Sequence, residues 1–129
     1  MEKIKRFEEL IIWQESRKFT KEIYTVFKEF PNFADRPLSS QIIRSSSSVM
    51  DNIAEGFERG GNKEFLQYLW IAKASAGESR SQIYRAFDIG LINEEKYNSF
   101  KKKAELISVG IFRLIQEIKK SELKGQKYK

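Results

Sequence analysis

The stretch Gln41-Ile42-Ile43-Arg44-Ser45-Ser46-Ser47-Ser48-Val49-Met50-Asp51-Asn52-Ile53-Ala54-Glu55-Gly56-Phe57-Glu58-Arg59 carries two superposed patterns. With Leu38 just ahead of it, Ile42, Ser45, Val49, Ile53 and Gly56 recur every three or four residues, the spacing of one helix face. A polar column runs beside them on the same rhythm: Gln41, Arg44, Ser48, Asn52, Glu55, Arg59. Four consecutive serines are poor helix formers and, taken alone, read as a loop. Ile42, Val49 and Ile53 nevertheless hold the helical phase straight across them. Small side chains in mid-helix let a neighbouring helix approach closely. The segment reads as a helix over about 37–59 that opens near Asp35-Arg36-Pro37, where Pro is tolerated in a first turn.

Outward from this segment the alternation of four and three returns. One column runs Phe65, Leu69, Ala72, Ala76, Ser79, Ile83, Ala86, Gly90, and a later one Tyr97, Phe100, Ala104, Ile107, Ile111, Leu114, Ile118. Both are seams of helices packed in a bundle. Asn93 stands where an N-cap belongs, with Glu94 and Glu95 where a helix N-terminus favours negative charge. Asn62 reads as the matching cap after the Gly60-Gly61 break. The opening segment carries Phe7, Leu10, Ile11, Trp13, Phe19, Ile23, Val26, Phe27 and Phe30, and stops at Pro31. Four helices are expected, at about 7–30, 37–59, 62–90 and 93–121, with a Lys-rich tail over 122–129. Short connections force antiparallel neighbours. The expected fold is therefore one all-α domain, an antiparallel up-down-up-down four-helix bundle spanning 1–129.

Composition narrows the chemistry. A chain of 129 residues suits one core. It contains no Cys, which removes disulfides, thiol nucleophiles and thiolate metal sites, and no His, the usual neutral-pH base and metal ligand. The run Leu10-Ile11-Ile12-Trp13 is too short for a signal-peptide core or a membrane span, so a cytoplasmic protein with no membrane partner is expected. The formal net charge of +6 is unevenly placed. Residues 1–95 are close to balance, whereas 96–129 hold Lys96, Lys101, Lys102, Lys103, Arg113, Lys119, Lys120, Lys124, Lys127 and Lys129 against Glu105, Glu117 and Glu122. A clustered basic segment concentrates and steers a polyanion; the plainer reading is a solvated helix face with a Lys tail.

The polar column of the second helix also has two readings. In one, it forms an internal or intersubunit hydrogen-bond network with Ser75 and Glu78 of the third helix, Arg44 reaching Glu78 or Ser79. In the other, Asp51, Glu55 and Glu78 form a carboxylate site for a hard, oxygen-bound ion. Acid–base work needs positioned groups that nothing else in the sequence announces, so the network is the expected reading, with no catalytic residue, metal site or cofactor.

The same residues resemble a known family. The pattern Gln41-x-x-Arg44, then Ser48-Val49-x-x-Asn52-Ile53-Ala54-Glu55-Gly56-x-x-Arg59, is similar to the signature of the four-helix-bundle proteins encoded in 23S rRNA intervening sequences, also called the S23 ribosomal protein family. Two flanking pieces agree: Phe7-x-x-Leu10-x-x-Trp13-Gln14, and Phe65-x-x-Tyr68-Leu69-x-Ile71-Ala72-x-Ala74-Ser75-x-x-Glu78. The likeness spans about residues 7–118 and departs at Met50, where many members have Pro, and at Ala74, where many have Gly. It implies ring-shaped homo-oligomers, commonly pentamers with a central channel, associated with rRNA and without an enzymatic role. It also implies kinship with the accessory proteins of diversity-generating retroelements, in which a basic pentamer binds nucleic acid and a reverse transcriptase. The signature residues Gln41, Arg44, Ser48, Asn52, Glu55, Gly56, Arg59, Ser75 and Glu78 are expected to be structural.

An oligomer also fits the aromatic content. Trp13, Phe57, Tyr68, Trp70, Tyr84 and Phe87 cannot all face one four-helix core, and surplus aromatics point to a buried partner surface. The leading expectation is a non-enzymatic homo-oligomer that binds RNA or DNA phosphates. Its candidate contacts are Lys101, Lys102, Lys103, Arg113, Lys119, Lys120 and Lys124, with Lys73, Arg80 and Arg85 as further cations. The alternative is a protein-interaction adaptor, for example one docking a reverse transcriptase. A metal-dependent hydrolase on Glu55 and Glu78 stands third.

Overall fold

The computed structural model describes residues 3–29 and 36–123. After a 3-10 turn at Phe7–Glu9 come four helices: α1 Ile11–Phe27, α2 Arg36–Glu58, α3 Asn62–Asp88 and α4 Glu94–Leu123. There is no strand among the described residues, and none of their helices is long and apolar enough to cross a membrane. Phe30 and Lys124 fall outside the described residues, as does the tail beyond Leu123.

The opening helix is shorter than its apolar residues imply. Leu10 adopts an extended conformation (φ −73°, ψ 124°) and separates the 3-10 turn from α1. Its side chain is buried, and Gln14 Nε2 donates to Glu8 O at 2.7 Å, tying the turn back onto the helix. Neither Gly nor Pro marks this break. Pro37 lies in the first turn of α2, as expected. The cap of α3 differs from expectation: Gly61, in extended conformation, holds the N-cap position without a side-chain bond, and Asn62 is the first helical residue and buried. At α4 the expected cap forms, with Lys96 N donating to Asn93 Oδ1 at 2.8 Å. Gly90 closes α3 at φ +82°, and Leu91 N donates to Ala86 O at 2.8 Å in a Schellman turn that glycine enters without penalty.

Pairings between helices run in opposite senses throughout. Ser45 meets Ser79 while Gln41 meets Arg85 and Gly56 meets Tyr68, so α2 and α3 are antiparallel. Trp70 meets Phe112 while Tyr84 meets Tyr97, reversing α3 against α4. Ile12 approaches Gly110 while Phe27 meets Phe100, reversing α1 against α4. The result is an up-down-up-down bundle.

Its core follows the sequence columns. Leu38, Ile42, Ser45, Val49 and Ile53 of α2 are buried, as are Phe65, Leu69, Ala72, Ala76, Ser79, Ile83 and Ala86 of α3. In α4 the seam turns slightly: Phe100, Ala104, Ile107, Ile111, Ile115 and Ile118 are buried, while Tyr97 and Leu114 are only partly so. Phe100 packs against Phe19 and Phe27, with ring centres 6.4 and 6.3 Å away. Phe57 and Phe65 meet edge to face at 5.7 Å, so Phe57 belongs to the core rather than to a surplus.

Candidate functional site

The serine run is where α2 meets its neighbours on two sides. Ser45 donates to Gln82 Oε1 at 2.7 Å; because a hydroxyl has one proton, the 2.8 Å contact with Ser79 Oγ is Ser79 donating to Ser45. Ser48 pairs with Ser75 at 3.0 Å and accepts from Asn52 Nδ2 at 2.9 Å. Ser46 and Ser47 bond back to Ile43 O, at 3.0 and 2.7 Å, and Thr20 Oγ1 of α1 reaches Ser46 O at 3.2 Å. Back-bonding and cross-helix partners offset the weak helix propensity of serine. At one end Arg85 Nη1 donates to Gln41 Oε1 at 3.4 Å. At the other, a Cβ on Gly56 would stand 2.5 Å from Tyr68 Cβ, so only glycine fits there without displacing a neighbour.

Signature residues thus populate one polar seam between α2 and α3: Gln41, Ser48, Asn52, Gly56 and Ser75, with Ser45, Ser79 and Gln82 added. Arg44 is the exception. It is exposed and forms no ion pair among the described residues, while Glu78 accepts from Gln82 Nε2 at 3.2 Å, so the expected reach of Arg44 to Glu78 or Ser79 is replaced by amide and hydroxyl partners. Beyond Asn52 the seam ends in an exposed cluster. Arg59 Nη2 donates to Glu55 Oε2 at 3.3 Å and to the Tyr68 hydroxyl at 2.8 Å, with the guanidinium over the Tyr68 ring. The Tyr68 hydroxyl, and then Arg59, hold the Glu55 carboxyl below the ordinary range.

The seam does not gather carboxylates. Glu55 stands near Tyr68 and Glu78 lies ten residues further along α3, about 15 Å away at the rise of a helix. Asp51 is exposed on α2, and no group of three or more acidic side chains among the described residues is placed to hold a metal ion.

The basic residues of α4 do not share one face. Lys102, Arg113 and Lys120 are exposed and point away from the bundle. Lys103 turns toward α1 and forms an ion pair with Glu22. Lys101 and Lys119 turn the other way, toward α3, and both sit over aromatic rings. Lys101 Nζ is 4.7 Å from the Tyr97 ring centre and 5.6 Å from that of Tyr84; Lys119 Nζ is 5.6 Å from Trp70. From α3, Lys73 Nζ lies 6.0 Å from Phe112.

Those rings form two clusters along the α3–α4 face. Trp70 and Phe112 lie 6.1 Å apart at one end. Tyr97 stacks on Phe87 at 4.2 Å and meets Tyr84 edge-on at 5.5 Å at the other. Trp70 and Tyr84 are each 42% exposed. Between the clusters, a Cβ on Gly77 would meet nothing within 4 Å, and Arg80 pairs with Glu105 at 3.9 Å. An ammonium over an exposed ring is held by only about 0.5–1 kcal/mol, so these cations are available to another ligand. Sequence reasoning named the cations and the surplus rings but did not join them. The signal was present in α3, where Trp70, Lys73, Gly77, Arg80 and Tyr84 follow the same three-four spacing. Arg85 lies on the opposite flank of α3, against Gln41.

A third region is apolar. A groove of about 300 Å³ between α1 and α4 is lined by Ile11, Ile12, Phe19, Leu106, Ile107 and Gly110 among others, with Glu15, Lys18, Glu22 and Lys103 on its rim. Ile11 is 72% exposed and Leu106 60%.

Comparison with known proteins places this geometry. A crystal structure of a protein of unknown function from the S23 ribosomal protein family of Bacteroides thetaiotaomicron VPI-5482 superposes with a TM-score of 0.73 at 24% identity, covering 82% of this chain and 96% of that one. This likeness shows the fold. No curated protein matches the chain. The model of the 23S rRNA-intervening sequence protein family matches residues 8–121, a span that runs from the 3-10 turn to the last turns of α4 and takes in the whole serine seam. The chain therefore belongs to the 23S rRNA-intervening sequence protein family.

Proposed function

We propose that this protein works without catalysing a reaction, as a self-associating scaffold that binds RNA, ribosomal RNA in the first instance, through the cations of α4 and the α3–α4 face. The observation that carries this reading is the arrangement of charge around α4. Lys102, Arg113 and Lys120 project into solvent, and Lys73, Lys101 and Lys119 border the adjoining face, with Glu105 already paired to Arg80. Contacts of this kind are made to phosphate, tolerate sequence and weaken steeply with salt. The exposed Ile11 and Leu106 on the α1–α4 groove support self-association, since an apolar groove so exposed is a surface a partner can cover. A ring of five copies is what the family resemblance implies, and each +6 chain would add its charge to the common field. Such a protein would act in the cytoplasm.

The test is native mass by light scattering, with and without RNA, across a salt series. A mass several times that of one chain, with RNA bound at low salt and released at high salt, is the expected result. A monomer at every concentration, or RNA binding indifferent to salt, overturns the reading. The second reading is an adaptor that docks a protein such as a reverse transcriptase on the same apolar ledge. It is favoured if a defined complex with that enzyme survives nuclease treatment and is lost on Leu106→Asp.

A further inference from the structure

The α3–α4 face has more on it than charge. Its cations are interleaved with aromatic rings, and the rings lie in two clusters rather than one. Trp70 and Tyr84 are fourteen residues apart on α3, about 21 Å along the helix axis. The strip between them is low, with Gly77 open to solvent.

Phosphate contacts alone need none of these rings. In a duplex the base faces are buried against one another, so an exposed indole or phenol has nothing to stack upon. In a single strand each base offers an unpaired π-face, and aromatic side chains flanked by cations are what such a strand requires. The ammonium groups of Lys101 and Lys119 already lie against ring faces. A base arriving on the ring displaces the ammonium, which then meets the phosphate that the base carries with it. We propose that the α3–α4 face binds single-stranded nucleic acid, one base stacking at Trp70 and another at Tyr84, with Lys119 and Lys101 taking the adjoining phosphates. This rests on the polyanion-binding reading above and names the form of its ligand.

The two tryptophans make the test direct. In Trp13→Phe the remaining indole is Trp70, and in Trp70→Phe it is Trp13. The probes are oligouridylate of about 12 nucleotides and an RNA hairpin whose stem is fully paired and whose tetraloop bases are paired or stacked on one another. At about 50 mM salt, oligouridylate is expected to quench the fluorescence of Trp13→Phe but not that of Trp70→Phe, and to bind more tightly than the hairpin. Trp70→Ala and Tyr84→Ala are each expected to weaken oligouridylate binding about fivefold or more with the salt slope unchanged. Both rings are substantially exposed, so these variants keep their fold, which circular dichroism checks.

Equal affinity for hairpin and oligouridylate, with no quenching, while Lys101→Ala and Lys119→Ala still weaken both, overturns the stacking and leaves the basic-surface reading standing. No binding of either probe at low salt overturns both. A fall in native mass on Trp70→Ala means that a second copy covers these rings, and that result also overturns the proposal.

Discussion

Replacing Gly56 by Ala tests how closely α2 and α3 are held. The new Cβ would lie 2.5 Å from Tyr68 Cβ, 3.2 Å from Tyr68 Cγ and 3.3 Å from Phe65 Cδ1, whereas ordinary contact begins at 3.4 Å. Tyr68 Cβ is fixed to its backbone and cannot rotate away, so the helices must part by about 1 Å there. Such overpacking costs about 1–3 kcal/mol. Against this stands the helix preference of Ala over Gly, about 1 kcal/mol. With a Cβ as close as 2.5 Å to a fixed atom the steric cost is the larger, and Gly56→Ala should lose up to about 2 kcal/mol. Gly77 is the internal control, because a Cβ there meets nothing within 4 Å. Gly77→Ala keeps the propensity gain and should be stabilised by about 0.5–1 kcal/mol. With an unfolding entropy of about 2.1 cal/mol/K per residue, 1 kcal/mol corresponds to about 4 °C in Tm for a chain of this size. The assay is urea unfolding followed by circular dichroism, at one fixed protein concentration because any self-association would add to apparent stability. A Gly56→Ala protein at least as stable as Gly77→Ala would refute the close approach.

Three other outcomes follow from the geometry. Ser45→Ala removes the acceptor of Ser79 and the donor to Gln82 in a buried site, and should cost about 1–3 kcal/mol; adding Ser79→Ala should cost less than the two single losses combined, as measured by a double-mutant cycle in urea. The folded carboxyl of Glu55 titrates below its ordinary value of 4.5, so its contribution to stability is present above that pH and fades as pH falls through the folded value. The Tm difference between wild type and Glu55→Gln should accordingly close on acidification, and a gap as wide at about pH 3 as at about pH 7 would count against the cluster with Tyr68 and Arg59. Finally, Lys101→Ala and Lys119→Ala should each flatten the logarithmic salt dependence of the proposed single-strand binding by about 0.7. Lys103→Ala should leave it nearly unchanged, because Glu22 already engages that ammonium.

The bundle was legible because its periodicity is nearly unbroken. The columns from Leu38 to Ile53 and from Phe65 to Ala86 reappear residue for residue as buried positions. What escaped reading had no local sign. The extended Leu10 is set by burial against the bundle, not by a breaker residue. The cap of α3 passed from Asn62 to Gly61 because the sharp turn after α2, with Gly60 at φ +86°, leaves Gly61 as the last extended residue. The partner of Glu78 depends on rotation about the α3 axis, which spacing does not determine; an amide on its own helix took the place foreseen for Arg44. The turn of about 100° per residue along α4 splits Lys101, Lys102 and Lys103 among three directions, although in sequence they form one run.

The serine seam has a mechanical consequence. Let α3 slip by one turn along α2 in one sense, and Ser48 faces Ser79 while Ser45 is left against Ile83. In the other sense, Ser45 faces Ser75 while Ser48 is left against Ile71. Either slip exchanges one cross-helix hydroxyl pair for a hydrocarbon neighbour, a loss of about 0.5–1.5 kcal/mol even though Ser45 and Ser48 keep their partners Ile42 O and Asn52 on α2. A purely apolar interface would slide with far less resistance. The α2–α3 hairpin is therefore a ratchet with one resting position, whereas α1, joined to α2 by Thr20 and to α4 by Lys103, has no such lock. Under amide hydrogen exchange the bundle should yield first by peeling α1 away, and the amides around Ser45 and Ser79 should be the last to give up their protons.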